Sequence, residues 1–319
     1  MINKDYLYSK VFSSVDTVSI KDDSVFIYSH SPEERSHCAD DLKKRYDKTN
    51  FVNVVLDEEN DSFHCVDSET SYSLRSNLQV RQFVEQFDSF IFYVDISGIN
   101  VKLLAVIIKS LFEYSKETKL EIYIVYSEPE SYTISAFKKK GVYFDLAENI
   151  RGISPLPGFE KIFSGDNEEA IFIPMLGFEG GRFAHVYEEI SPEDKNIIPV
   201  VGLAGYKAEY PFTSLLGNQR PLRESGAWQR IRYASANSIV DAFIILCNIE
   251  KDNRGKYLRI VPIGTKPHTI AAIIFYLCFQ RNTEIVFDHP IRKEKRTCGI
   301  NKIIITSLSE LLENEYHDS

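Results

Sequence analysis

Several signatures of common enzyme classes are missing from this chain of 319 residues. It contains neither the G-x-x-x-x-G-K-[ST] phosphate loop nor the G-x-G-x-x-G dinucleotide fingerprint, which excludes the usual sequence forms of P-loop and Rossmann cofactor sites. The G-x-S-x-G nucleophile elbow and the H-E-x-x-H zinc motif are also absent. No standard catalytic constellation and no particular cofactor is therefore predicted.

Cysteine and long apolar runs are scarce as well. The five cysteines include no C-x-x-C pair, and the histidines are scattered, so the sequence predicts free thiols and no metal site. The longest apolar run, 270–279, is too short to span a bilayer, and the first twelve residues form no long apolar signal segment. We expect a cytoplasmic protein without membrane contact.

The charge balance is acidic. The formal net charge is −9 and the sequence pI is near 5.4, which disfavours direct binding to duplex DNA. One basic cluster, Arg292 to Arg296, could touch a phosphate or form a solvated loop.

Hydrophobic residues make up 44% of the chain, enough for a large core. In the first half, short apolar segments alternate with helical patterns. The predicted strands are 25–28, 51–56, 89–96 and 120–126. Buried strands that alternate with helices indicate a parallel sheet covered on both faces. The fold prediction is α/β: Rossmann-like parallel sheets with helices on both faces, in two α/β units.

The domain prediction follows from where the pattern weakens. An N-terminal Rossmann-like domain is assigned to residues 1–135, a linker region rich in glycine and proline to 136–169, and a C-terminal α/β domain to 170–319. The irregular segment 204–234 is predicted to be a long inserted loop, which is typical of functional or mobile regions.

Ligands of open parallel sheets bind beyond the carboxyl ends of strands, where helix N-termini present N–H groups. The strongest candidate is Gly264-Thr265-Lys266, between a strand and a helix. Gly264 permits close backbone approach, Thr265 offers a hydroxyl and Lys266 a cation, as in a phosphate nest. The alternative is a tight turn in which Thr265 caps the helix.

A second candidate follows the strand that ends at Leu176. Gly177, Gly180 and Gly181 expose backbone N–H groups there, and Arg182 is a possible phosphate partner. Glu179 could act as a general base or accept a ribose hydroxyl. The alternative is a glycine-rich turn with an exposed ion pair.

Two strand ends of the first half have similar features. Asp95, Ser97 and Gly98 follow the third strand, where a ligand role competes with a helix N-cap role. Glu128 follows the fourth strand and would serve as an acid or base if the protein is an enzyme, although a solvated turn is the alternative.

Polar residues of the 204–234 segment complete the set of candidates. Asn218 and several cations have the side chains that grip phosphates and stack on bases, so a gating lid is a hypothesis for this segment. The cations are Lys207, Arg220, Arg223 and Arg232.

The motif Gly264-Thr265-Lys266-Pro267 after an apolar strand, with Asp95-Ile96-Ser97-Gly98, resembles the Gly-Thr-Lys signature of CARF-type Rossmann-like domains of prokaryotic antiviral systems. The resemblance implies a cyclic oligonucleotide as ligand, with phosphate or ribose contacts from Gly264, Thr265 and Lys266.

Three hypotheses follow. The first is a protein that binds a phosphate-bearing, nucleotide-like small molecule, as a sensor or accessory subunit of an antiviral defence system that recruits a protein partner. The second is an enzyme acting on a nucleotide or sugar-phosphate, with Glu179 or Glu128 as acid or base. The third is a structural subunit whose aromatic surface, including Trp228, docks a larger partner.

Overall fold

The computed structural model describes residues 4–133, 146–159 and 170–316. Contacts divide the chain into two compact units. The first comprises Met1–Tyr132 together with Glu294–Ser319, and the second comprises Thr133–Lys293. Across the described ranges, no helix has the length and apolar character needed to cross a membrane.

Seventeen strands are present in the described residues. They are β1 (Ser9–Phe12), β2 (Val25–Tyr28), β3 (Asn50–Asp57), β4 (Ser62–Cys65), β5 (Ser71–Ser73), β6 (Ile91–Asp95), β7 (Glu121–Glu128), β8 (Ser131–Tyr132), β9 (Ala147–Ile150), β10 (Ile171–Leu176), β11 (Val200–Gly202), β12 (Arg232–Ala234), β13 (Leu258–Pro262), β14 (Thr283–Ile285), β15 (Pro290–Arg292), β16 (Thr297–Cys298) and β17 (Lys302–Ser307).

Ten α-helices accompany them in the same ranges. They are α1 (Asp5–Tyr8), α2 (Cys38–Lys43), α3 (Asn77–Glu85), α4 (Val101–Ser115), α5 (Gly180–Ile190), α6 (Tyr210–Gly217), α7 (Gln219–Glu224), α8 (Ile239–Asp252), α9 (Lys266–Cys278) and α10 (Leu308–Glu315). A short 3-10 helix, Glu34–His37, leads directly into α2.

The sheet of the first unit has eight strands in the order β1-β17-β7-β6-β2-β3-β4-β5. Its centre, β7-β6-β2-β3, is parallel, whereas β17, β1, β4 and β5 join in antiparallel pairs. Taken in chain order, the parallel strands run 2-1-3-4, the beginning of the flavodoxin-like arrangement. The order therefore reverses between β2 and β6.

The sheet of the second unit is parallel throughout. Its order is β12-β11-β10-β13-β14, which in chain order is 3-2-1-4-5, the arrangement of a Rossmann half with two more strands. Helices α5, α6 and α7 contact one another, and α8 contacts α9. Right-handed crossovers place these two groups on opposite faces of the sheet.

The α/β prediction is confirmed, with one correction to the strand directions. The first sheet is mixed rather than parallel, because short hairpins and the returning strand β17 add antiparallel strands at both sides. All four strands predicted in the first half are present, as β2, β3, β6 and β7.

The division into units differs from the predicted domain boundaries. Residues 170–319 are predicted to be one domain, but β17 pairs with β7, and Glu294–Ser319 join the first unit. The predicted linker 136–169 lies partly outside the described residues; its described part, 146–159, contains β9, which pairs with β15.

The segment 204–234, predicted to be a long loop, instead forms regular secondary structure. It contains α6, α7 and β12, and the turn of 3-10 helix at 227–230. Only one or two turns of helix form in α6 and α7, so each is too short to show a clear periodic pattern in the sequence.

Each unit buries its own apolar core. In the first, Phe26, Leu42 and Tyr93 belong to a cluster that joins α2 to the sheet. In the second, α5 packs on the strands that precede both predicted glycine turns, through contacts among Phe172, Phe183 and Val261. Rigid cores thus hold the carboxyl ends of the central strands in place.

Candidate ligand site

The strand order of the second unit defines one point of reversal, between β10 and β13. Their parallel register pairs Met175 with Pro262, so both strands end at the same level of the sheet. The chain leaves β10 toward β11 and leaves β13 toward β14, in opposite directions. Ligands of open α/β sheets bind in the crevice that such a reversal creates.

The two predicted glycine turns meet at this reversal. A Cβ atom on Gly177 would lie 2.9 Å from the carbonyl oxygen of Ile263 and 3.2 Å from the Cα of Gly264. A Cβ atom on Gly264 would lie 2.9 Å from the carbonyl oxygen of Leu176. Side chains at either position would separate the turns, so the two glycine turns predicted separately are in contact.

Thr265 caps helix α9. Its Oγ1 accepts a hydrogen bond from the backbone N–H of His268 (3.4 Å) and donates to the carbonyl oxygen of Ala236 (2.6 Å). Lys266 is the first residue of the helix and is partly exposed. The cap interpretation of Thr265 is confirmed, and the ligand contacts of Thr265 and Lys266 stay predictions.

Gly180 and Gly181 begin helix α5 and have different surroundings. A Cβ atom on Gly180 would come within 1.8 Å of the carbonyl oxygen of Gly217, so α6 lies directly against it. A Cβ atom on Gly181 would meet nothing within 4 Å. The side of Gly181 is therefore the open part of this helix start.

Asn218 binds the first glycine turn from the 204–234 segment. Its Nδ2 donates to the carbonyl oxygens of Gly177 and Ser214, both at 2.8 Å, and the Ser214 hydroxyl donates to Gly177 as well (2.8 Å). The side chain of Asn218 is fully buried, and its Oδ1 accepts no hydrogen bond from any described residue. A buried acceptor without a donor is costly and calls for an explanation.

His268 presents a second buried acceptor in the first turn of α9. Its Nε2 lies 3.0 Å from the carbonyl oxygen of Ser235, which can only accept, so the proton is on Nε2. Burial lowers the pKa of His268 and favours the neutral ring. Its Nδ1 has no hydrogen-bond donor among the described residues.

Arg182 is committed to the protein interior. Its guanidinium forms two hydrogen bonds of 2.6 Å to Asp288, and its Nη1 donates to the carbonyl oxygen of Ile263 (2.8 Å). Burial raises the pKa of Asp288, but the hydrogen bonds and charge of Arg182 outweigh it and hold the pKa below its usual value. The arrangement makes Arg182 a brace for the end of β13 rather than the exposed ion-pair partner that the sequence suggested.

Glu179 is also used by the fold. Its Oε1 accepts hydrogen bonds from the backbone N–H groups of Leu146 and Ala147, each at 2.8 Å, and its Oε2 lies 3.3 Å from Arg292. These contacts hold β9 beside the start of α5. A carboxylate with three such partners has little capacity left to act as a base.

Glu128, the other predicted acid or base, is completely buried in the first unit. It accepts a hydrogen bond from Asn301 (2.6 Å) and lies 3.6 Å from the ammonium group of Lys302. The alternative of a solvated turn is therefore wrong, because this side chain is fully buried and has partners next to and in the neighbouring strand β17.

The Asp95 turn of the first unit packs tightly. Asp95 accepts a hydrogen bond from the backbone N–H of Ser97 (2.8 Å), and Ser97 Oγ accepts one from Ser127 (2.9 Å). A Cβ atom on Gly98 would lie 1.7 Å from the carbonyl oxygen of Ser29. The predicted N-cap role is wrong, since the cap of α4 is Asn100, which lies two residues after Gly98.

One group that sequence reasoning missed lies after β2, at the reversal of the first sheet. Asp40 Oδ1 is 3.0 Å from His30 Nε2, and Asp40 Oδ2 is 3.2 Å from His37 Nδ1. The imidazole rings stack with centroids 4.7 Å apart. The spacing H-x6-H-x2-D within one strand-turn-helix unit is the signal that could have revealed it, because residues 37 and 40 share a helical face.

Comparison with known proteins adds little to this geometry. No protein-family model and no curated protein matches the sequence. Among solved structures, similarity is found to a GDP-L-fucose synthetase from Naegleria fowleri bound to NADP, with 10% identity over 94% of this chain and 90% of that one and a TM-score of 0.23. A second structure of that enzyme gives 10% identity, coverage of 96% and 92%, and a TM-score of 0.22. These values are too low to transfer a ligand or an activity.

Proposed function

We propose that the second unit binds a phosphate-bearing, nucleotide-like small molecule at the carboxyl ends of β10 and β13. The observation that carries the proposal is the contact between the Gly177 and Gly264 turns at the reversal of a wholly parallel sheet. Helices α5 and α9 begin at these turns, and helix N-termini attract anions through their N–H groups and their dipoles.

The buried acceptors support a ligand with donor groups as well as phosphate. Asn218 Oδ1 and His268 Nδ1, associated with the two turns, lack donors among the described residues. A ribose hydroxyl or a base amino group is the kind of donor that would complete them. Phosphate oxygens would accept from the helix starts, while Asn218 and His268 would accept from the remainder of the nucleotide.

The α6–α7 segment would be the lid of this site. Asn218 and Ser214 attach it to the Gly177 carbonyl oxygen, and Gly217 lies against Gly180. Admission of a donor to the enclosed Oδ1 of Asn218 requires these contacts to shift. The lid and the nucleotide site are therefore one proposal.

Binding is favoured over catalysis because the carboxylates of both predicted acid–base residues already have hydrogen-bond partners within the fold. Glu179 accepts hydrogen bonds from the backbone at Leu146 and Ala147, and Glu128 is buried and bonded to Asn301. The CARF-type resemblance and a role in antiviral defence stay predictions. Cyclic oligonucleotides accordingly belong among the probes.

Native mass spectrometry of freshly purified protein, followed by denaturing release, tests for a retained nucleotide. Thermal unfolding is then measured with ATP, NADP, cyclic tetra-adenylate and any released molecule. We expect at least one of them to stabilise the wild type and Lys266→Ala to lose that stabilisation. Absence of stabilisation by every probe, together with an empty protein, would overturn the proposal.

A matched pair at Gly181 separates ligand binding from folding. Gly181→Asp places a negative charge in open space at the start of α5, where the helix dipole stabilises it by about 0.3–1 kcal/mol. The same charge repels a phosphate, so we expect the variant to unfold at a higher temperature and to bind the active probe at least about tenfold more weakly. Gly181→Asn has similar size without charge and should retain binding. Equal affinities for the Asp and Asn variants would contradict a phosphate at this helix start.

A further inference from the structure

The side chains His30, His37 and Asp40 of the first unit, which we call the His-Asp cluster, have the composition of a metal site. Their candidate ligand atoms all lie within 4.8 Å of one another. His30 follows β2, His37 ends the 3-10 helix, and Asp40 lies in α2. One strand-turn-helix unit thus supplies all three groups.

The distances match the demands of tetrahedral zinc. Ligand bonds of about 2.0–2.1 Å in a tetrahedron place neighbouring donor atoms about 3.3 Å apart. In the His-Asp cluster, Oδ2 of Asp40 lies 3.1 Å from His30 Nε2 and 3.2 Å from His37 Nδ1, so one carboxylate oxygen is near both nitrogens. Rotation of the exposed side chains would let an ion enter between these atoms.

The two imidazole rings of the His-Asp cluster lie nearly parallel. The centroids of His30 and His37 are 4.7 Å apart with planes inclined by 19°. An imidazole binds a metal in the plane of its ring, so these rings must turn before Nε2 of His30 and Nδ1 of His37 can share an ion, with the carboxylate of Asp40 as the third ligand.

Asn53 supplies an outer contact of the type that orients metal-bound histidines. Its Nδ2 lies 3.4 Å from Nδ1 of His30, and its Oδ1 accepts no hydrogen bond from a described residue. When Nε2 of His30 binds a metal, Nδ1 carries the proton and needs an acceptor. Rotation of the Asn53 amide by 180° would provide Oδ1 as that acceptor and resolve its missing partner.

We propose that the His-Asp cluster binds one divalent transition-metal ion of the zinc type. Two imidazole nitrogens and one carboxylate oxygen favour Zn²⁺ and related ions over Mg²⁺ or Ca²⁺, which prefer oxygen ligands. Three protein ligands leave a further coordination position. The side chains of His30, His37 and Asp40 are 39%, 50% and 41% exposed, so that position is accessible to water or an anionic ligand.

The location agrees with a functional site. The cluster follows β2, and β2 and β6 are the strands between which the order of the first sheet reverses. Because ligands of open α/β sheets bind at that edge, the ion would stand where a substrate or effector group can reach it. This inference concerns the first unit and is independent of the nucleotide proposal for the second.

The test uses the full chain, free of affinity tag and treated with a chelator. Zn²⁺ binding is measured by calorimetry, the coordination by the visible spectrum of Co²⁺, and Mg²⁺ serves as the comparison ion. We expect one Zn²⁺ per chain, the intense bands of four- or five-coordinate Co²⁺, and no comparable binding of Mg²⁺.

Variants locate the ion. His37→Ala and Asp40→Asn should each weaken Zn²⁺ binding by at least about 100-fold, and Asn53→Ala by about 10-fold. The matched control is His64→Ala, a histidine of β4 outside the cluster, which should bind as the wild type does. Circular dichroism checks that each variant is folded. Failure to bind stoichiometric Zn²⁺, or unchanged binding in both His37→Ala and Asp40→Asn, would overturn the proposal.

Discussion

The two units use the same position in their sheets in different ways. At the reversal of the second sheet, two glycine turns pack together, and Arg182 and Asp288 form a buried pair whose side chains are 4% and 0% exposed. At the reversal of the first sheet, the nearby polar groups His30 and Asp40 are 39% and 41% exposed. The edge of the second sheet thus consists of main-chain turns next to a buried ion pair, whereas the edge of the first carries exposed imidazole and carboxylate groups.

The difference follows from the residues that end the central strands. Glycines after β10 and β13 allow the main chain of the two turns to touch, so helix starts become the accessible polar surface. After β2 the chain continues into a 3-10 helix and α2, which place imidazole and carboxylate groups on one side. The fold alone therefore does not determine which chemistry an α/β edge carries.

The largest expected loss of stability comes from removing one partner of the buried Arg182–Asp288 pair. Arg182→Met leaves Asp288 buried without its cation and should lower the free energy of unfolding by about 3–5 kcal/mol. Asp40→Asn removes an exposed pair in the first unit and should cost less than about 1 kcal/mol. Urea unfolding monitored by Trp228 fluorescence reports the second unit, and circular dichroism reports the whole chain. Similar losses for both variants would remove the distinction between a braced edge and an exposed one.

Glycine substitutions should give changes of opposite sign. Gly98→Ala places a Cβ atom 1.7 Å from the carbonyl oxygen of Ser29 and should cost about 3 kcal/mol or more, because backbone must move. Gly181→Ala meets nothing within 4 Å and should stabilise helix α5 by up to about 1 kcal/mol. Thermal unfolding of the two variants measures both changes. A stabilising Gly98→Ala would show that the turn after β6 is not packed as described.

The pH dependence of unfolding tests the buried pair of the second unit. The pKa of Asp288 lies below its unfolded value of about 3.9, so its ionised form stabilises the fold above that pH, and the contribution is lost as pH falls toward the folded pKa. We expect the stability difference between wild type and Asp288→Asn to be full at pH 7 and to shrink below about pH 4. Asp252→Asn, an exposed carboxylate of the same unit, should show little difference at either pH. A difference that grows with acid would contradict the assigned pairing.

The sequence predicted most buried elements because their signal is local. The strands β2, β6 and β10 are short apolar runs, and α4 has clear helical periodicity, so period and length suffice to identify them. The candidate turn at Gly264 was located for the same reason, since a strand, a glycine and a helix start follow one another.

Pairings distant in sequence could not be predicted in this way. Strand β17 pairs with β7, which lies in the other half of the chain, and no local pattern indicates this pairing. Arg182 pairs with Asp288, which lies 106 positions later in the chain, and no local pattern distinguishes this arginine from one on the surface. The His-Asp cluster, in contrast, is a group that the sequence could have revealed, because its three residues lie within eleven positions of the chain.

The proposed binding of phosphate at the glycine turns of the second unit can be followed at individual residues. Its most direct test is two-dimensional NMR of ¹⁵N-labelled, deuterated protein titrated with the nucleotide released on purification, or with ATP if none is released. We expect the nucleotide to cause large shifts of the amide signals of Gly181 and Gly264 and no shift of the Gly98 signal. Shifts confined to Gly98 and its neighbours, or no shift at any of the three glycines, would contradict it.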